Sequence, residues 1–380
     1  MTGVPLSVLD LVPISSGSTA AQALLNTVDL SRHAERLGYR RYWFAEHHLN
    51  PGVAGVSPAV VIALVGSATS TIRIGSGGVQ LGHRTALSVV EEFGLLNAVY
   101  RGRLDLGLGR SSGRRPKRAP GSSAPRSLAA ARAAADGVTA NGLVIPKKFP
   151  IETLLRSPWA GLQRSMTLMA NAEPQDYGDQ IGDILALLRG HYRSAEGLEA
   201  HAVPGEGAEV EVWILGSSGG QSADVAGRNA LRFAANYHIS PATILEAVDG
   251  YRGAFHPSSE LERPYIAVSA DVVVAEDEGQ ARELATGYGL WVRSIRAGAG
   301  AIPFPTPEEA RSHPWTDEDR ELVADRVATQ FVGDPKQVAD RLRCLAEATE
   351  ADELVITTVT HDHADRVRSY QLLAGEWFSS

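Results

Sequence analysis

The chain has 380 residues, 44% of them hydrophobic, which is enough for one large barrel or two average domains with a substantial core. Lysine and arginine number 36 against 44 aspartates and glutamates, and the net charge of −8 excludes a generally basic surface of the kind that binds nucleic acid or an anionic membrane. A single cysteine, Cys344, excludes an intrachain disulfide framework and a cysteine-built zinc or iron–sulfur centre; with no charged-then-apolar leader and no long apolar run, a cytoplasmic protein is expected.

Leu6 to Val12 is a short apolar run broken by Pro13, and from Thr19 to Leu37 leucines, alanines and Val28 recur at helical spacing until Gly38. A strand followed by a helix is the reading. Arg41 to Glu46 is rich in aromatics and bounded by Asn50, Pro51 and Gly52; Ser57 and Pro58 then open a second helix with serine at the N-cap and proline at N1. Ile72 to Val79 predicts a third strand, Thr85 to Val99 a third helix, and Gly102 to Gly109 a fourth strand. Val210–Gly216, Ala230–Ala235, Tyr265–Val274 and Leu354–Val359 predict four more strands, with helices starting near Gln221, Pro241, Asp277 and His363. Such alternation means a parallel sheet with helical crossovers, and eight units over this length fit a closed (β/α)₈ TIM barrel, one domain over residues 1–380.

Two stretches break the rhythm. Residues 110–165 are rich in Arg, Pro, Ser and Ala, most basic from Arg114 to Arg118, and are expected to be a lid over the site or a solvated loop with a short alanine-rich helix. Residues 296–328, with Pro303, Pro305, Pro307 and Pro314, are expected to form an extended excursion near the mouth.

In a barrel every strand end marks one face, where active sites are built. His47 and His48 leave the second strand there. Side chains alternate along a strand, so Trp43, Ala45 and His47 share one side while Phe44, Glu46 and His48 share the other, and only one histidine of the pair enters the mouth. A metal-dependent hydrolase is an alternative, with His361 and His363 after the last strand joined by His47 and Asp10; against it, Asp362 and His363 serve equally well as a helix cap. Gly107, Gly109 and Gly113 have the wrong spacing for a dinucleotide fingerprint. Gly75, Ser76, Gly77 and Gly78 end the third strand, where missing Cβ atoms let backbone approach a flat ligand. Ser217, Ser218, Gly219, Gly220, Gln221 and Ser222 join a strand end to a helix start, a pattern that suits a phosphate group, and Arg110 is the candidate countercharge.

Taken together, Leu6–Val12, Ala34–His48, Ile72–Val79, Glu91–Leu96, Gly102–Arg110, Trp213–Ser218, Gly333–Val338, Ala351–Thr358 and the Asp362–Ala364 turn resemble the bacterial luciferase-like monooxygenase family of flavin-dependent (β/α)₈ proteins. The resemblance implies reduced FMN at the strand C-termini, reacting with O₂ through a C4a-hydroperoxide to oxidise a small organic substrate. It implies His47 as the acid/base beside the flavin and a cis peptide at Gly77–Gly78 beneath the ring system. Arg110, Ser217, Ser218, Gly219, Gly220 and Ser222 would hold the phosphate, with Asp10 and Ser76 also counted as cofactor-binding. A separate flavin reductase and a homodimer are expected. Some relatives use a deazaflavin and transfer hydride, and others have lost turnover; both remain alternatives. Gly82–Ala86, the basic insertion and the extra residue at Gly219–Gly220 depart from the family pattern.

Overall fold

Ten parallel-paired strands organise the described residues: β1 (Leu6–Asp10), β2 (Arg41–Phe44), β3 (Arg73–Ser76), β4 (Val79–Gln80), β5 (Leu104–Gly109), β6 (Val210–Gly216), β7 (Arg232–Asn236), β8 (Ile266–Val274), β9 (Phe331–Gly333) and β10 (Glu353–Thr357). The computed structural model describes residues 3–110, 137–150, 154, 157–169, 172–173 and 175–379. The alanine-rich helix and the Arg114–Arg118 stretch expected in the first insertion lie outside the described residues.

The ring runs β1, β2, β3, β5, β6, β7, β8, β10 and closes on β1, with registers such as Leu6↔Leu354, Val8↔Tyr42 and Glu353↔Ala267. It is therefore a closed eight-stranded (β/α)₈ barrel. β4 carries the line of β3 onward against β5, and β9 pairs with the end of β8. Leu6, Val8, Tyr42, Phe44, Ile74, Phe233, Val268 and Ile356 face the helices, while Leu9, Trp43, Trp213, Ala234, Ala267 and Val355 fill the interior. That division is the period-2 alternation of a strand with apolar material on both faces.

The interior is layered along its axis. At the N-terminal end Arg41 lies in a buried cage of Asp105 (2.8 Å), Glu211 (3.0 Å) and Glu353 (2.7 Å), stacked on Trp213. Above it Trp43 and Trp213 meet edge to face at 4.9 Å and form the floor of the mouth.

Helices cover the outside: α1 (Ala20–Leu37), α2 (Pro58–Gly66), α3 (Ala86–Val99), α4 (Pro158–Thr167), α5 (Tyr177–Leu188), α6 (Gln221–Arg228), α7 (Ile244–Ala254), α8 (Glu278–Leu284), α9 (Thr286–Arg296), α10 (Pro307–Ser312), α11 (Asp317–Thr329), α12 (Pro335–Thr349) and α13 (His363–Phe378). Their starts carry the expected signals: Thr19, Thr85, Asp277, Asp334 and Asp362 accept from backbone N–H groups of the first turn. Gly38 ends α1 at φ 87°, a conformation costly for any residue with a Cβ.

α5, which the sequence reading leaves without an element, packs on α3; Tyr177, Ile181, Ile184 and Leu188 form its buried stripe. The excursion after the seventh unit is not simply extended. It holds α10 and α11 and threads across the mouth, where Phe304 N–H donates to Ile14 O (2.8 Å), Ser16 N–H to Phe304 O (2.8 Å) and Gly52 N–H to Ala301 O (2.7 Å). The described end of the first insertion meets it there: Arg296 stands 3.9 Å from the Phe149 ring centroid, and Gln163 Nε2 donates to His48 O at 3.2 Å. Among the described residues no helix is long and apolar enough to cross a membrane.

Candidate active site

The C-terminal rim carries the candidate chemistry in ring order. Trp43 and Ala45 lie in the interior cluster, so the strand alternation sends His47 inward as well, while Glu46 and His48 pair with each other on the opposite side at 2.9 Å. The His47 backbone N–H is fixed on Gly55 O (2.8 Å), yet its Nδ1 is sealed from solvent and has no hydrogen-bond partner among the described residues. Burial pushes the ring's pKa down to about 4, with His48 adding to the shift and Glu46 opposing it. The ring is neutral at pH 7, and an unpaired buried nitrogen is costly unless a ligand or reaction uses it.

Next around the rim, the Gly77–Gly78 peptide is cis, as the resemblance implies. A Cβ on Gly77 would stand 2.7 Å from Leu9 Cδ1, one on Gly78 2.7 Å from Gly107 O, and one on Gly107 2.0 Å from Ser76 O. At Gly78 and Gly107 the wall between β3 and β5 is thus backbone against backbone, where only glycine fits, while Gly77 packs on the Leu9 and Trp43 side chains. Ser76 is part of that wall: its hydroxyl donates to Gly107 O (2.8 Å) and accepts from Gly107 N–H (2.9 Å), so it is committed to the backbone rather than offered to a ligand.

Beyond β5 a cleft of about 190 Å³ opens between the ends of β5, β6 and β7, lined in part by Arg110, Ser217, Ser218, Gln221, Ser222 and Asn236. α6 begins here at Gly220 without a side-chain cap, leaving its first N–H groups for a ligand. Arg110 Nη1 reaches Gln221 Oε1 at a long 3.4 Å, Ser222 faces the Tyr177 hydroxyl, and the Ser217 carbonyl accepts from Thr243. Gly219 turns away from the cleft; a Cβ there would meet Glu246 O of α7 at 2.6 Å. Its glycine serves loop–helix packing. Gly220 contributes as the helix N-cap.

Asp10 sits elsewhere, and its placement among the cofactor-binding residues is corrected. It shares the helix-facing side of β1 with Leu6 and Val8, and its carboxylate is filled by Arg366 (2.8 Å), Tyr42 (2.5 Å), Thr27 (2.9 Å) and the Val12 N–H (2.7 Å). These partners hold its pKa below the usual value against the desolvation that raises it. Removing one partner of such a buried pair typically costs about 3–5 kcal/mol, a structural role.

His361 and His363 also separate. His361 Nε2 contacts Ser16 O (3.0 Å), His363 Nε2 contacts Asp29 (2.9 Å), and Asp362 caps α13.

Sequence reasoning missed the far side of the mouth. His238, just past β7, is buried with Nδ1 2.5 Å from Ser269 Oγ, and burial together with Arg326 and His47 holds its pKa well below the usual value. Asp271 on β8 bonds the Tyr288 hydroxyl and lies 3.2 Å from Arg326, which also bonds Tyr288 at 2.8 Å. One signal was visible: Ser269 and Asp271 are the polar residues of an otherwise apolar, wholly buried strand.

The rim therefore presents, in order, an unpaired imidazole, a glycine wall, an uncapped helix start with an arginine, and a second buried imidazole. That order suits a flat ligand with an anionic arm.

A family model described as luciferase-like monooxygenase matches residues 4–139 and 184–352. The chain is 32% identical over 369 residues to a luciferase-like monooxygenase of Escherichia coli, covering 97% of this chain and 96% of that one. Its fold matches the crystal structure of apo-MsnO8 with TM-score 0.76 and 30% identity, covering 99% and 98% of the two chains. It also matches the FMN-bound oxygenating constituent of 3,6-diketocamphane monooxygenase of Pseudomonas putida, a type II Baeyer–Villiger monooxygenase, with TM-score 0.64 and 17% identity, covering 100% and 99%.

Proposed function

The chain belongs to the luciferase-like monooxygenase family, and on that premise we propose that it is an FMN-dependent monooxygenase that oxidises a small organic substrate with O₂, taking reduced flavin from a separate reductase in the cytoplasm. The observation that carries this reading is the sealed, partnerless Nδ1 of His47 on the same rim as the glycine wall and the Arg110 cleft.

When bound, reduced flavin would supply the electrons that activate O₂; the residues of this chain bind, orient and take up a proton. Arg110, Ser217, Ser218, Ser222 and the first N–H groups of α6 hold the phosphate, charge against charge and dipole against anion. The backbone at Gly77–Gly78 would support the ring system, its place against Leu9, Trp43 and Gly107 kept by the absence of a Cβ at either position. His47, neutral at pH 7, takes up a proton at Nδ1, and the backbone bond to Gly55 O keeps its main chain from shifting as charge develops. The buried cluster of Phe304, Trp43 and Trp213 behind the rim would help to keep water from the reacting atoms.

The same reading includes a homodimer. α2 and α3 are apolar around most of their circumference and pack on each other, and Val60 (60%), Leu64 (43%), Leu95 (61%) and Val99 (72%) stand exposed on them. A helix apolar all round belongs in an interior, which a second copy would supply.

Anaerobic titration of the purified protein with reduced FMN and, separately, with reduced deazaflavin tests the cofactor. Tighter binding of reduced FMN followed by oxygen-dependent reoxidation at the site is expected. Saturable binding of the deazaflavin alone would overturn the FMN reading in favour of hydride transfer.

A further inference from the structure

On the outer side of the turn that carries His47, Glu46, His48 and His83 bring one carboxylate oxygen and two imidazole nitrogens together. His48 Nε2 and His83 Nε2 stand 2.9 and 3.0 Å from the same Glu46 Oε1, all three atoms lie within 4.8 Å of one another, and the two rings are nearly perpendicular at 4.9 Å. We propose that this triad is a binding site for a divalent transition-metal ion of the zinc, cobalt or nickel type, separate from the flavin cleft. It requires neither flavin nor substrate and stands independently of the function proposed above.

The donor set selects the ion. Two imidazoles and one carboxylate without sulfur suit borderline dications, whereas magnesium and calcium prefer all-oxygen shells. Ligand atoms ~2.1 Å from such an ion stand about 3.0–3.4 Å apart in octahedral or tetrahedral arrangement. The two imidazole–carboxylate spacings already lie at the lower end of that range, and the two imidazole nitrogens, within 4.8 Å of one another, close on an ion by turning their rings. Binding needs each ring to carry its proton on Nδ1 so that Nε2 offers a lone pair, a change of tautomer that leaves the ring neutral.

The surroundings hold the ligands in place. Glu46 Oε2 accepts from the Gln80 N–H at 2.9 Å, which anchors the carboxylate, and Gln80 Nε2 donates to the Glu46 backbone carbonyl at 2.6 Å. The His48 carbonyl is held by Asn50 Nδ2 (2.8 Å) and Gln163 Nε2 (3.2 Å). The bond to Glu46 Oε2 is an outer contact of the kind that orients a metal ligand and raises affinity; the others fix the backbone that carries the ligands. The Glu46 side chain is fully buried, while His48 and His83 keep 22% and 13% exposure, so an ion has a way in.

The charges also balance. Arg84 Nη2 is 3.5 Å from Glu46 Oε1, but its Nη1 is bound to both oxygens of Glu92 at 2.9 Å. With the rings neutral, Glu46, Arg84 and Glu92 sum to one negative charge, which a dication more than compensates. The competing arrangement is two hydrogen bonds from imidazole to carboxylate with no ion involved.

The test uses the full-length protein, stripped with a chelator and desalted. Zinc is titrated by calorimetry and cobalt by visible absorption, in wild type, His83→Ala, His48→Ala and His363→Ala. The expected result is one saturable equivalent in wild type, with zinc raising the melting temperature and magnesium doing neither. Losing a direct ligand should cost at least the ~10- to 100-fold that losing an outer contact costs, so His83→Ala and His48→Ala bind far more weakly while His363→Ala binds as wild type does. Circular dichroism of His83→Ala separates a lost ligand from a lost fold; if that variant is unfolded, His83→Gln replaces it. No saturable equivalent in wild type, or binding unchanged in the folded His83 variant, overturns the site and leaves a hydrogen-bonded cluster.

Discussion

Replacing Arg110 with alanine isolates the phosphate-binding half of the proposed site. Arg110 is exposed at the lip of the cleft and held by a long 3.4 Å contact to Gln221, so its guanidinium can turn to a phosphate at little cost. A hydrogen bond to a charged partner contributes about 1.5–3 kcal/mol, and solvent screening at an exposed arginine favours the low end, about 1.5 kcal/mol. That corresponds to about a tenfold weaker Kd. Riboflavin has the same ring system without the phosphate, so its affinity should be unchanged by the substitution. Anaerobic fluorescence titration of both reduced flavins against wild type and Arg110→Ala therefore reads the phosphate contact alone. Added salt should narrow the FMN advantage in wild type and do so less in the variant, because the lost interaction is the screened one. An equal loss of affinity for riboflavin, or no loss for FMN, would refute the assignment of the anionic arm to this cleft.

His47→Ala should reduce substrate oxidation by ~10²-fold or more while shifting the melting temperature little, because the residue lies past the end of β2 at the mouth and its Nδ1 makes no hydrogen bond to lose; unchanged turnover in a steady-state assay would remove the proton-transfer role. Leu95→Glu places a charge on the apolar face of α3, and gel filtration with light scattering should then report monomer where wild type is a dimer; a wild-type monomer would end that proposal. Glu35 Oε1 accepts from the backbone N–H groups of Ser70, Thr71 and Ile72 at 2.8, 2.6 and 3.0 Å and from the Thr71 hydroxyl. These bonds, against a smaller cost of burial than their sum, lower its pKa from 4.5 to about 2. A carboxylate with a depressed folded pKa stabilises fully above its unfolded value and loses that contribution as pH falls through the folded one. Glu35→Gln should accordingly be less stable than wild type by about 1–2 kcal/mol at neutral pH, with the gap closing between pH 4.5 and 2 in parallel urea titrations. A gap independent of pH would show that the loop is held by something other than the charge.

Periodicity and breakers in the sequence determined the eight strands of the barrel, though not the short β9, and the side on which each histidine after β2 lies. Both are local: an apolar run between Gly or Pro punctuation gives an element, and alternation by two gives the face. The same alternation places Asp10 with Leu6 and Val8 on the helix side, a signal that outweighs its position at a strand end. The glycine wall and the Ser217–Ser222 turn were legible for similar reasons, since absent Cβ atoms and an uncapped helix start are local properties.

What surrounds those residues was decided by ring closure, because the neighbours of each strand come from remote parts of the chain. Arg366 reaches Asp10 from α13, and Ser7 meets Glu353 across the seam between β1 and β10. His238, Asp271, Tyr288 and Arg326 become one cluster only when α9 and α11 fold over the end of β8. His83 joins Glu46 and His48 because β4 carries the chain back along the rim to them. Sequence separation carries no information about such contacts, and the packing that creates them is a property of the closed barrel as a whole.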